Sequence, residues 1–123
     1  MRMWMVDPKY MCRKHLLGEH LEIHMFVNTI RMGISIKGYI KNNLLEPLSL
    51  YARHNDIEKE MTKREYKHKT ELNHKIVKEA INKLSPEDRK HKIDSNESLK
   101  ELLIRCSECR ERYRKLNSED DNE

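Results

Sequence analysis

The chain is predicted to be all-α: one compact domain of three to four main helices with an extended N-terminal segment. Three observations predict it. Apolar residues recur at helical spacing over long stretches. Only 3 Gly and 3 Pro are present, too few turn formers for a hairpin-rich β fold. Ser and Asp stand where helix starts need caps. At 123 residues the length suits a single domain with a modest core.

The elements follow in order. Residues 1–11, opening "MRMWMVDPKY", form an apolar head cut by Pro8 and are expected to run extended and then turn. A long helix is predicted from about Cys12 to Met32. Leu17, Leu21, Met25 and Asn28 fall near one stripe of it, with Leu16, Ile23, Val27 and Ile30 beside them. Gly33 suits the position just past its end. The stretch "ISIKGYIKNNLLEP" alternates apolar and polar residues before breaking at Asn42-Asn43 and Pro47, which reads as an ordered loop or a short extended stretch. A second helix is expected over Leu48 to Tyr66, where Leu50, His54, Ile57 and Met61 share a face. A third, shorter one fits "ELNHKIVKEAINKL". Ser85 and Pro86 start a single turn as cap and first helical residue. Asp94 and Glu97, at capping-box spacing, begin a last helix through Leu99, Leu102, Leu103 and Cys106 to about Leu116. The helical domain is thus residues 1–117, and "SEDDNE" at 118–123 is expected to be an acidic disordered tail.

Composition narrows the function. Lys and Arg number 25 against 21 Asp and Glu, a formal +4; without the four carboxylates of the acidic tail the rest carries +8. Such a body attracts polyanions. A mean hydropathy of -0.96 leaves a thin core under a charged surface. No apolar run approaches the ~18 residues of a membrane span, and no charged-then-apolar signal opens the chain, so a cytoplasmic protein without membrane contact is expected. Three cysteines, an odd number, do not describe a secreted disulfide framework.

The stretch "KHLLGEHLEIHMF" sets ionisable groups on the first helix. His15, Glu19, Glu22 and Phe26 advance by helical steps and share a face, with His20 and His24 in a second row. "HLEIH" is not the zinc-protease H-E-x-x-H motif. Glu22 lies two residues after His20, about 200° around a helix, and faces away from any metal held by His20 and His24. That histidine pair reads as a solvated flank. Glu22 has the apolar neighbours Leu21, Ile23, Met25 and Phe26. It is either a partly buried working carboxylate or the partner of a basic residue from another helix.

The N-terminal 26 residues, "MRMWMVDPKY" and then "HLLGEHLEIHMF", resemble the pyrimidine-dimer DNA glycosylases of the phage endonuclease V type and their bacterial and viral relatives. The likeness weakens over "RHNDIEKEMTKREYKH", similar to a helix that ends in Arg-Gly-aromatic in relatives. It implies a small all-α enzyme that cleaves the N-glycosidic bond of a damaged pyrimidine and then nicks at the abasic site. The implied nucleophile is the free N-terminal amine, and the implied carboxylate is a Glu on the first helix. Laid on this chain without gaps, these are Met1 and Glu22. Arg2 matches a basic residue after the nucleophile, and His15 a His one turn before the catalytic stretch. Leu21 and Met25 stand where some relatives have arginines, and Glu65 where relatives often have Gly after Arg64.

The chemistry suits those positions. Imine formation at a deoxyribose C1′ needs an uncharged amine, and an ordinary α-amine titrates near 7.7–8.0 against about 10.4 for Lys. A chain terminus is therefore an amine ready without burial. A carboxylate would stabilise the oxocarbenium-like sugar, move protons, and help take the C2′ proton so that the 3′ phosphate leaves by β-elimination. The bulk of Arg2 should hinder Met removal, so Met1 itself is the expected nucleophile; in the best-known relatives a small second residue lets Met be removed.

For DNA contact, Arg2 and His15 follow from the resemblance. Trp4 and Tyr10 are candidates to stack on a base, with core packing the other reading for Trp4. The basic clusters "KREYKHK" and "RERYRK" add Arg64 and Arg112. The expected partner is double-stranded DNA with a damaged pyrimidine or an abasic site, met by a monomer without cofactor. The alternative is a non-catalytic helical nucleic-acid-binding module, with or without a zinc staple. Cys12, His15, Cys106 and Cys109 have the donor types of a Cys₃His zinc site as two i, i+3 pairs. Nothing in the spacing says that the pairs meet, so buried cysteines at helix contacts, with no metal, are expected.

Overall fold

A computed structural model describes the backbone of residues 1–67 and 70–121, with side chains through Ser118. The expected all-α fold is found: seven helices and no strand among the described residues. They are α1 (Arg13–Arg31), α2 (Lys37–Lys41), α3 (Leu50–Lys63), α4 (His74–Asn82), α5 (Pro86–Arg89), α6 (Ser95–Arg105) and α7 (Ser107–Asp121). Single 3₁₀ turns at Pro8–Tyr10 and Pro47–Ser49 precede α1 and α3. None of these helices is long and apolar enough to cross a membrane.

The apolar periodicity of α1 does what its spacing requires. Leu16, Ile23, Phe26, Val27 and Ile30 are buried, against α3 and α4. Each side chain of this size withdraws about 1.5–3 kcal/mol worth of apolar surface from water. Leu50, Ile57 and Met61 of α3 and Val77, Ala80 and Ile81 of α4 supply the facing layer. Gly33 ends α1 in the left-handed region at φ 73°, where Ile34 N–H reaches the Thr29 carbonyl at 3.1 Å. Asn73 caps α4 through Ile76 N–H, Ser85 caps α5 through Asp88 N–H, and Asp94 caps α6 through Asn96 and Glu97 N–H.

Three expectations are corrected. The segment after Gly33, read as an ordered loop or a short extended stretch, holds a helix: residues Lys37–Lys41 form α2. The Asn pair is its stop, with Asn42 donating back to the Gly38 carbonyl and Asn43 left-handed at φ 58°. The last predicted helix is two, because Cys106 is extended at φ -123°, ψ 111°. No Gly or Pro marks that break, and the apolar spacing runs through it. α7 then continues past Leu116 to Asp121, so the expected disordered tail from residue 118 falls partly on helix; residues 122–123 lie outside the described residues.

Glu65 follows α3 in the left-handed region, φ 64°, and closes the helix with Tyr66 N–H on the Met61 carbonyl at 2.9 Å. A Cβ is strained there by about 1–2 kcal/mol. Glu65→Gly should therefore stabilise the fold by about 1 kcal/mol after glycine's entropy is counted. Urea unfolding checks it by a higher midpoint at unchanged slope; a lower midpoint would contradict it.

Candidate active site

The fold turns the first residues into a buried strap. Met3 N–H donates to the Leu44 carbonyl at 2.8 Å, Trp4 N–H to Glu19 Oε1 at 3.0 Å, and Arg53 Nη1 to the Val6 carbonyl at 2.6 Å. The Ser98 hydroxyl donates to the Trp4 carbonyl. α1, α3, α6 and the loop before the second 3₁₀ turn thus each grip the N-terminal segment. Glu19 is the hub. Arg53 holds it bidentately, Nε to Oε2 at 2.6 Å and Nη2 to Oε1 at 3.0 Å, and both residues are buried. With both oxygens engaged, Glu19 serves position rather than proton transfer.

Glu22, one turn on, is half-buried and lines a cleft of about 640 Å³ with Met1, Arg2, His15, Asn42 and Arg105. That size lies within the range of about 300–1,000 Å³ usual for ligand sites. The Arg2 amide nitrogen lies 3.5 Å from Glu22 Oε2, and only the Cα and carbonyl carbon of Met1 separate that amide from the α-amine. The chain's first residue and the carboxylate of its first helix therefore share one concavity. Spacing had put Glu19 and Glu22 on the same face; the reach of Arg53 decides which is spent in an ion pair.

The other predicted DNA contacts are placed differently. Trp4 is buried, with the Arg2 guanidinium over its ring at 3.5 Å and the His15 ring against its edge, centroids 5.7 Å apart. It packs in the core, 5% exposed, and its remaining exposed surface lies on the cleft lining. Arg2 is engaged within the protein, Nη1 to Glu101 Oε2 at 3.1 Å and Nη2 to the Ser98 hydroxyl at 3.3 Å. Arg64 and Arg112 reach inward too. Arg64 pairs with Glu60 at 2.8 Å and donates to the Pro8 carbonyl at 3.0 Å, while Arg112 donates twice to the Lys9 carbonyl, at 3.1 and 2.8 Å. The Pro8 carbonyl, which already accepts Met11 N–H at 3.0 Å, and the Lys9 carbonyl thus each gain an arginine. Tyr10 packs on Tyr113, centroids 4.7 Å apart. The cations left on the cleft rim are Lys14 and Arg105, the latter 2.7 Å from Glu101. Glu101 and Arg105 lie some eighty residues from Glu22, and no local pattern pointed to them.

Two clusters of metal-ligating side chains involve α1. Cys12, His15, Cys106 and Cys109 come together, their donor atoms all within 4.8 Å of one another. His15 is held below the usual imidazole range by burial and then by the charge of Lys14. Burial, then hydrogen bonds with the neighbouring thiols, push the Cys109 thiol up to about 12 against the opposing Cys12 amide. His20 and His24 are not on a solvated flank, because His54 of α3 faces them. His24 Nε2 lies 3.0 Å from His54 Nε2, His20 Nε2 lies 3.0 Å from Glu58 Oε2, and the Thr70 carbonyl is 3.1 and 2.9 Å from His24 and His54.

Burial and the adjacent His54 lower the His24 pKa below 6.5, against the Thr70 carbonyl and Glu58, which raise it. The unfolded chain then binds this proton more readily than the folded one. His24 costs nothing above about pH 6.5 and destabilises as pH falls through that value towards its folded pKa. The urea midpoint should drop between pH 7.5 and about 5.5, and His24→Gln should flatten that drop. An equal drop in the variant would remove His24 as its source.

A family model described as pyrimidine dimer DNA glycosylase matches residues 1–74, more than half of the chain. No curated protein and no solved structure matches it. The matched part contains the strap, α1, α3, Met1 and Glu22; Cys106 and Cys109 lie beyond it.

Proposed function

The chain belongs to the pyrimidine dimer DNA glycosylase family, and from that premise we propose that it is a glycosylase with abasic-site lyase activity, working through the Met1 α-amine and Glu22. The observation that carries the proposal is the meeting of Met1 and Glu22 in one cleft, with the Arg2 amide 3.5 Å from the carboxylate.

In this reading the neutral α-amine attacks C1′ of a damaged pyrimidine nucleotide, the N-glycosidic bond breaks, and the base leaves with its electron pair. Glu22 stabilises the cationic sugar as that bond stretches. It then shuttles the amine's protons while the sugar ring opens to an imine. The same carboxylate helps remove the C2′ proton, and the 3′ phosphate departs by β-elimination. Lys14 and Arg105 on the rim supply the phosphate contacts. The strap contributes precision: four elements fix residues 3–6, so the amine is presented rather than searched for.

The reading requires a mature chain that begins at Met1, which intact mass measures. Duplex DNA carrying a pyrimidine dimer should be nicked by protein with a free terminus. Chemical acetylation of that amine should abolish nicking, because an amide nitrogen forms no imine. Equal nicking by protein shown to be acetylated would contradict the proposal.

A further inference from the structure

We propose that Cys12, His15, Cys106 and Cys109 bind one structural zinc ion, which staples the start of α7 to the start of α1. The donors fit a tetrahedron. Zn–S bonds of about 2.3 Å and Zn–N bonds of about 2.0–2.1 Å make the edges of such a site about 3.8 Å between sulfurs and about 3.6 Å from sulfur to nitrogen. Cys12 Sγ and Cys106 Sγ lie 3.8 Å apart. His15 Nδ1 lies 3.3 Å from Cys12 Sγ and 3.7 Å from Cys109 Sγ. Three of the tetrahedron's six edges thus stand near the zinc values, and all four donors lie within 4.8 Å of one another.

Backbone geometry prepares the sulfurs as ligands. Cys12 precedes α1 and Cys106 precedes α7, each at the position where a helix presents unpaired N–H groups. Cys12 N–H donates to Cys109 Sγ at 3.2 Å, and Cys109 N–H donates to Cys106 Sγ at 3.4 Å. Such bonds hold ligand sulfurs in position. The break in the helix at Cys106 also gains a purpose: an unbroken α6–α7 helix could not turn this thiol towards Cys12. The three cysteines are free, and an odd number cannot all pair as disulfides. Cys12 and Cys109 are buried and Cys106 half-buried. Four protein donors leave no open position for water, so the ion would be structural rather than hydrolytic.

The consequence reaches the cleft. His15 lines it while its ring meets the edge of Trp4, so zinc on Nδ1 would lock one wall of the site. It would also join the part of the chain that matches the family, residues 1–74, to helices beyond it.

The test uses the full chain with its native terminus, purified without chelator and supplied with zinc. Elemental analysis should find about one zinc per chain. Cobalt(II) put in its place should give the strong thiolate-to-metal charge-transfer absorption and intense visible bands of a tetrahedral sulfur-rich site. The double variant Cys106→Ser/Cys109→Ser should retain under a tenth of the metal, and His24→Gln should retain all of it. Absent or substoichiometric zinc after reconstitution would overturn the proposal. So would cobalt spectra without thiolate charge transfer, or metal lost from His24→Gln, which would move the ion to the histidine cluster. The cobalt spectrum needs no variant, so a double variant that fails to fold leaves the test intact.

Discussion

Glu22→Gln is expected to lower imine formation with abasic-site DNA by about 10²–10⁴-fold, the range that a positioned acid–base group contributes. Stability should hardly change. Glu22 is half-buried, its protein contact is the long 3.5 Å approach of the Arg2 amide, and Gln can still accept that N–H. The substitution removes a proton carrier and a negative charge while leaving the shape of the cleft. Single-turnover nicking of abasic-site duplex, run beside urea unfolding, separates the two effects. Full activity at unchanged stability would remove Glu22 from the reaction. A loss of activity matched by a loss of stability would make it a structural residue.

Glu19→Ala should do the reverse, damaging the fold first. It strands the Arg53 guanidinium in the core and leaves Trp4 N–H without its acceptor. Breaking a buried pair by removing one partner costs about 3–5 kcal/mol, a large share of the total of about 5–15 kcal/mol that holds an ordinary domain together. The urea midpoint should fall accordingly, and activity with it, because the strap that presents the amine loses its hub. Removing both charges, as in Glu19→Leu/Arg53→Met, should cost less than Glu19→Ala alone, since no buried charge is left uncompensated. A double variant less stable than the single would show that the pair's own attraction, not the penalty of an orphaned charge, dominates.

What could be read from the residues divides along local and non-local lines. The α1 and α3 stripes, the caps at Asn73, Ser85 and Asp94, and the stop at Gly33 are settled within a turn or two of chain, and spacing predicts the stripes, Gly33, Ser85 and Asp94. The break at Cys106 is not, because cysteine neither favours nor forbids helix and no Gly or Pro stands beside it. Glu19 and Glu22 are alike in local sequence; Arg53, on another helix, assigns them different work. Arg64 and Arg112 look like surface cations in a basic cluster, yet they turn back onto the carbonyls of residues 8 and 9 across the fold. The cleft wall from α6 depends on tertiary contacts that no local pattern carries.

The central claim is that the amine at the start of the chain forms the covalent bond with the sugar. Borohydride reduction in the presence of abasic-site DNA would convert the imine to a stable secondary amine, and proteolysis with tandem mass spectrometry would locate it. The account predicts the sugar remnant on the α-nitrogen of Met1, in a stoichiometric adduct lost in Glu22→Gln. An adduct on a lysine side chain, or none from protein shown to have a free terminus, would contradict it.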